Sequence, residues 1–112
     1  MIVWFSATGN SFHAAQTLGR RLGEPLVSLT EAMWREDYVL SPAAGESLGL
    51  VLPVYFWGLP RLAHDYLQRL RLEAAERPYT WLVLTCGGSA CNAASQARQY
   101  LRLDYTDFVV MP

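Results

Sequence analysis

Ser6, Thr8 and Ser11 place three hydroxyl donors within one short stretch, Ser6-Ala7-Thr8-Gly9-Asn10-Ser11. The stretch follows four apolar residues, Ile2-Val3-Trp4-Phe5, and runs into a helix-like pattern. A strand–turn–helix of this kind aims backbone N–H groups and hydroxyls at one spot near a helix N-terminus, which suits a phosphate group. Gly9 permits close backbone approach or positive φ, and Asn10 tolerates such conformations and can cap a helix. The chain has no lysine and the loop no arginine, so neutral dipoles must hold the anion. A Walker P-loop is excluded because it needs Gly-Lys-Ser/Thr, and no Gly-x-Gly-x-x-Gly follows the first apolar run. Taken alone, the loop also reads as a well-capped turn without a ligand.

Two further stretches could do chemistry. Tyr55, Phe56 and Trp57 stand together in Pro53-Val54-Tyr55-Phe56-Trp57-Gly58-Leu59-Pro60, where a polar loop is the norm. Exposed loop aromatics need a reason, and a flat ring that stacks on them supplies one. The alternative is that Phe56 and Trp57 pack into the core. Thr85-Cys86-Gly87-Gly88-Ser89 offers backbone donors without bulk. Cys86 and Cys91 have C-x4-C spacing, which lacks the paired ligands of a zinc or iron–sulfur site. Asn92 stands where the C-x5-R loop of a tyrosine phosphatase would need arginine. Two free thiols of a cytoplasmic protein are the default reading, with Cys86 filling the core.

Together these motifs resemble the flavodoxin family. Its phosphate loop for flavin mononucleotide (FMN) has the pattern Ser/Thr-x-Thr-Gly-Asn-Ser/Thr, and its two flavin-ring loops follow the third and fourth strands. The likeness spans essentially the whole chain and is nearest to flavodoxin domains fused to a bacterial-type ferredoxin. It implies an FMN-binding electron carrier passing among the oxidised, semiquinone and hydroquinone states of the flavin. It implies phosphate contacts from Ser6, Ala7, Thr8, Gly9, Asn10 and Ser11. Ring contacts fall to Pro53, Val54, Tyr55, Phe56, Trp57, Gly58, Thr85, Cys86, Gly87 and Gly88, with Trp57 as the first choice for stacking. By the same likeness, the Trp57–Gly58 peptide could turn its carbonyl toward the flavin N5, a rotation that glycine makes easy. The cofactor does the redox chemistry, so no catalytic acid or base is named.

The elements that must position these loops can be read from periodicity. Apolar runs at 1–5, 25–28, 47–53, 80–85 and 107–111 alternate with helical patterns. Leu50-Val51-Leu52 and Trp81-Leu82-Val83-Leu84 show no polar alternation, which implies strands buried on both faces of a parallel sheet. Helices are expected over 11–22, with Phe12, Ala15, Leu18 and Leu22 inward and Gly23 as the stop, and over 30–34, capped by Thr30. A third starts at Pro60 and turns Leu62, Tyr66, Leu67 and Leu70 inward, and a fourth covers 93–103. Residues 36–46 read as loop. Repeated β-α units give an α/β doubly wound parallel sheet in the flavodoxin-like order 2-1-3-4-5. All three loops then follow strands at their carboxyl ends and meet at one crevice.

One domain of 112 residues, 52% hydrophobic, argues against disorder. Nine arginines against ten acids give a net charge of −1, without the basic clustering of a nucleic-acid surface or the acidic excess that steers a free partner. No apolar run is long enough to span a membrane, and the N-terminus lacks the basic region of a secretory signal. His13 and His64 read as solvated helix residues.

The pattern ends just past the fifth strand, where a flavodoxin has one more helix. A longer parent protein, a second copy covering the gap as a homodimer, or a minimal variant would each account for this. The resemblance implies a redox protein partner, either a reductase or an iron–sulfur protein. Two other readings stay open: an FMN-dependent NAD(P)H:quinone-type reductase, and a cofactor-free interaction domain that keeps the fold.

Overall fold

The two uninterrupted apolar runs form the centre of a parallel sheet. In the computed structural model, which describes residues 1–6, 9–55, 58–87 and 92–110, the chain runs β1 (Ile2–Trp4), α1 (Asn10–Leu22), β2 (Leu26–Ser28), α2 (Leu29–Trp34), β3 (Val39–Leu40), β4 (Leu48–Pro53), α3 (Arg61–Arg69), β5 (Arg71–Leu72), β6 (Thr80–Cys86), α4 (Ala93–Arg98) and β7 (Tyr105–Val110). The readings for Ala7, Thr8, Phe56, Trp57, Gly88, Ser89 and Cys91 lie outside the described residues.

The main sheet has the order β2-β1-β4-β6-β7, with every pairing parallel. This is the expected 2-1-3-4-5 order once β3 and β5 are set aside. Those two form a small parallel pair of their own, within and beside segments read as loop. All six residues of β4 are buried, as two-sided coverage requires. Side chains alternate between two cores. Val3, Leu50, Leu52, Leu82 and Leu84 pack with Leu29 of α2, Ala63 and Tyr66 of α3, and Ala97 of α4. On the other face Ile2, Val51 and Trp81 pack with Ala15 of α1. By register, β7 presents Tyr105 and Val109 beside Trp81 and Thr85 on the α1 face, and both are about half exposed.

Several local expectations are corrected. On α1, Ala15 is buried and Leu18 packs against the core as expected, but Ser11 and Gly19 complete the buried stripe; Phe12 lies outward against Trp4 at 4.6 Å between ring centroids, and Leu22 is exposed. Small side chains let this helix approach the sheet closely: a Cβ on Gly19 would lie 3.0 Å from Leu26 Cδ2. Ser28, not Thr30, caps α2, its Oγ accepting from Glu31 N–H at 3.2 Å. On α3, Ala63 is buried and Leu62 exposed. Helix α4 stops at Arg98, where N–H groups of Gln99 and Tyr100 tighten onto carbonyls three residues back. His64 is half-buried, with Nδ1 2.8 Å from the Tyr100 hydroxyl, whereas His13 is exposed as expected. No described helix is long and apolar enough to cross a membrane.

Candidate functional site

Strand β1 leads through α1 to β2 on one side, and the chain then crosses back to place β4 on the other. The reversal leaves a crevice at the carboxyl ends of β1 and β4, which in open α/β sheets is where ligands bind. The three loops predicted from sequence leave β1, β4 and β6 at this end.

Specific bonds join them. Ser11, in the first turn of α1, shares a buried 2.6 Å hydroxyl–hydroxyl hydrogen bond with Thr85 at the end of β6. Val54 N–H donates to Thr85 O at 3.0 Å, and Phe5 N–H to Val51 O at 3.1 Å. The Phe5 and Tyr55 rings meet edge to face at 6.4 Å. The structure therefore brings together Ser6, Gly9, Asn10, Ser11, Pro53, Val54, Tyr55, Gly58, Thr85, Cys86 and Gly87 at one edge of the sheet.

Their roles divide. Gly9 sits at φ 93° and caps α1 with its carbonyl, which accepts from His13 N–H at 3.0 Å; its own N–H donates to Ser6 Oγ at 2.8 Å. Among the described residues, a Cβ on Gly9 or on Gly87 would meet nothing within 4 Å. The amides of Asn10, Ser11 and Phe12 precede the first intrahelical hydrogen bond and point out of the helix N-terminus. No acidic residue stands in that first turn. The Ser11 hydroxyl is buried against Thr85, where either oxygen can be the donor, and Ser11 also offers the crevice its backbone N–H. Cys86 is buried, with Sγ 3.9 Å from Val109 O.

In the second loop Tyr55 and Gly58 exchange two backbone hydrogen bonds, Tyr55 N–H to Gly58 O at 2.7 Å and Gly58 N–H to Tyr55 O at 2.9 Å. Both ends of the aromatic segment are thereby fixed to each other. A turn of the peptide that carries the Gly58 N–H has to break the second of these bonds. The sequence reading missed Gln96 of α4, whose Oε1 accepts from Leu59 N–H at 2.7 Å. Its signal was a polar residue flanking the Ala93 and Ala97 stripe of a short helix.

Segments 5–12, 53–60 and 85–92 contain no Asp, Glu, Lys or Arg. The site is electrically neutral and built of hydroxyls, amides and aromatic rings. A hollow of about 490 Å³ lies at the other end of the sheet between 42–47 and 74–79. It adjoins the amino ends of β4 and β6, away from the crevice, so its size does not make it the site.

The fold is flavodoxin-like. The chain is similar to two solved structures of provisionally assigned flavoproteins, one from Bacteroides eggerthii and one from Bacteroides uniformis. The first has a TM-score of 0.66 at 18% identity, covering 98% of this chain and 86% of that one. The second has a TM-score of 0.66 at 11% identity, covering 98% of this chain and 88% of the other. No family model matches the chain, and no curated protein does either.

Proposed function

We propose that the chain is a flavodoxin-like FMN-binding domain that carries electrons. One observation carries the reading: three uncharged loops are bonded together at the sheet's switch point, above a helix N-terminus free of acidic residues. The description of both structural neighbours as flavoproteins supports it.

The residues present fit such a group. An α1 N-terminus with open space over Gly9 admits a phosphate, which favours the positive end of the helix dipole. The amides of Asn10 and Ser11 would hold it with Ser6, Ala7 and Thr8. A flat ring would lie against Tyr55, Phe56 and Trp57, and the backbones of Gly58, Thr85, Gly87 and Gly88 would meet its polar edge. Buried Pro53 and Cys86 and half-buried Val54 would form the floor. FMN, when bound, supplies the one- and two-electron chemistry. The chain's part is to bind it, orient it and shield one side, and its redox partner is a reductase or an iron–sulfur protein. The sequence has no dinucleotide fingerprint, which favours a carrier over a reductase.

The test is the visible spectrum of purified protein mixed with FMN and then desalted. Two retained flavin bands are expected, bleached by dithionite but only slowly by NADPH. Rapid bleaching by NADPH would make the protein a reductase. A colourless, folded protein would exclude both flavin functions.

A further inference from the structure

Gly58 and Leu59 share a peptide that is held at both of its polar atoms. Its carbonyl accepts from Tyr55 N–H at 2.7 Å, and its N–H donates to Gln96 Oε1 at 2.7 Å. The Leu59 N–H also fixes which way the Gln96 amide faces, because only its oxygen can accept. The carboxamide turns its oxygen–nitrogen edge to Gly58: a Cβ there would stand 2.6 Å from Oε1 and 2.9 Å from Nε2. Glycine at 58 thus answers to a close approach by Gln96 as well as to loop flexibility. Gln96 reaches the loop from α4, whose Ala93 and Ala97 are anchored in the core. The loop is fastened to a rigid element outside the three ligand loops.

We propose that Gln96 is the positioning residue of the aromatic loop, clasping the Gly58–Leu59 peptide so that Tyr55 and Gly58 are set in place before a ligand arrives. The inference rests on the reading of this loop as a flavin-ring loop. Pre-organisation of this kind improves affinity by removing the ordering cost from the binding step. Loss of one buried amide's acceptor corresponds to about tenfold in an equilibrium constant.

The experiment compares the flavin-free and FMN-titrated protein with its Gln96→Met and Gln96→Glu variants. Leu59 amide exchange is followed by NMR without flavin, and FMN affinity by fluorescence quenching. Methionine keeps the length and removes the acceptor; glutamate keeps an acceptor. Gln96→Met is expected to speed Leu59 exchange about tenfold and weaken FMN about tenfold, while Gln96→Glu restores the slow exchange. Unchanged Leu59 exchange in Gln96→Met overturns the clasp. Faster exchange with unchanged FMN affinity overturns the positioning role. If the unaltered protein binds no FMN, the flavin reading itself has failed, and Leu59 exchange still decides whether the clasp exists.

Discussion

The two ends of the sheet are built by different rules. At the amino end the fastenings are charged. The Met1 ammonium pairs with Glu24, Glu24 accepts from Ser47 Oγ at 2.6 Å, and Ser47 Oγ accepts from Trp81 Nε1 at 3.0 Å. Beside them Arg77 makes two bonds to Asp104, at 2.9 and 2.8 Å, and Asp104 also accepts from Thr80 N–H at 2.8 Å. At the carboxyl end the ties among the described loop residues are neutral hydroxyls and amides. At the amino end the charges hold strand ends and their connections together. In the crevice the cohesion comes from Ser11–Thr85 and Gln96–Leu59, which on the proposed function leaves no fixed charge to compete with an anion and a flat ring.

The largest expected effect lies at the amino end. A Cβ on Gly49 would fall 2.1 Å from Trp81 Cζ2, inside the packed core. Gly49→Ala should lower stability by about 3 kcal/mol through overpacking, read from the urea midpoint. A variant as stable as the parent would show that Trp81 moves freely and that this end is looser than described.

At the carboxyl end, Ser11→Ala strands the Thr85 hydroxyl, which is only 4% exposed. The expected loss is about 2 kcal/mol, and adding Thr85→Val should recover most of it because both polar partners are then gone. Equal stability of the single and double variants would mean that the hydroxyl pair does not tie the loops.

Between the ends, Tyr66 shows a buried hydroxyl with neither device. Its Oη has no partner among the described residues, and desolvation, aided by Asp37 and Tyr38, pushes its pKa up to about 12. Tyr66→Phe should cost nothing or add about 1 kcal/mol. The raised folded pKa means its contribution is fully present below the ordinary tyrosine value near 10 and is lost as pH rises toward about 12. Ultraviolet difference titration should therefore show one phenol ionising last, and absent in Tyr66→Phe.

The smallest effect is a pH dependence at the amino end. The Arg77 guanidinium, then the Thr80 N–H, hold the Asp104 carboxyl down at about 2, against an ordinary 3.8. Its contribution is present above the ordinary value and disappears as pH falls through about 2. Asp104→Asn should flatten that limb of the acid-unfolding curve. An unaltered limb would move the acid sensitivity elsewhere.

Much of this was legible in the chain. Unbroken apolar runs such as 50–52 and 81–84, short and set between turn signals, fit strands covered on both sides, which gives the sheet and hence the crevice. What periodicity could not show was tight packing. It favours large residues, so beside Ala15 it placed Phe12 and Leu22 inward where Ser11 and Gly19 go. Thr30 and Ser28 are equally good caps in composition, and only the path from β2 decides between them. The bonds of Ser11 to Thr85, Gln96 to Leu59 and His64 to Tyr100 span 74, 37 and 36 residues, and no local pattern announces contacts of that range.

Amide NMR of labelled protein titrated with FMN decides whether ligand chemistry belongs to the neutral end of the sheet. Saturable shifts at Ser6, Gly9, Asn10, Ser11, Tyr55, Gly58 and Gly87, with 42–47 and 74–79 unmoved, are the outcome this account requires. Shifts confined to the hollow between 42–47 and 74–79, or none anywhere at saturating FMN, would contradict it.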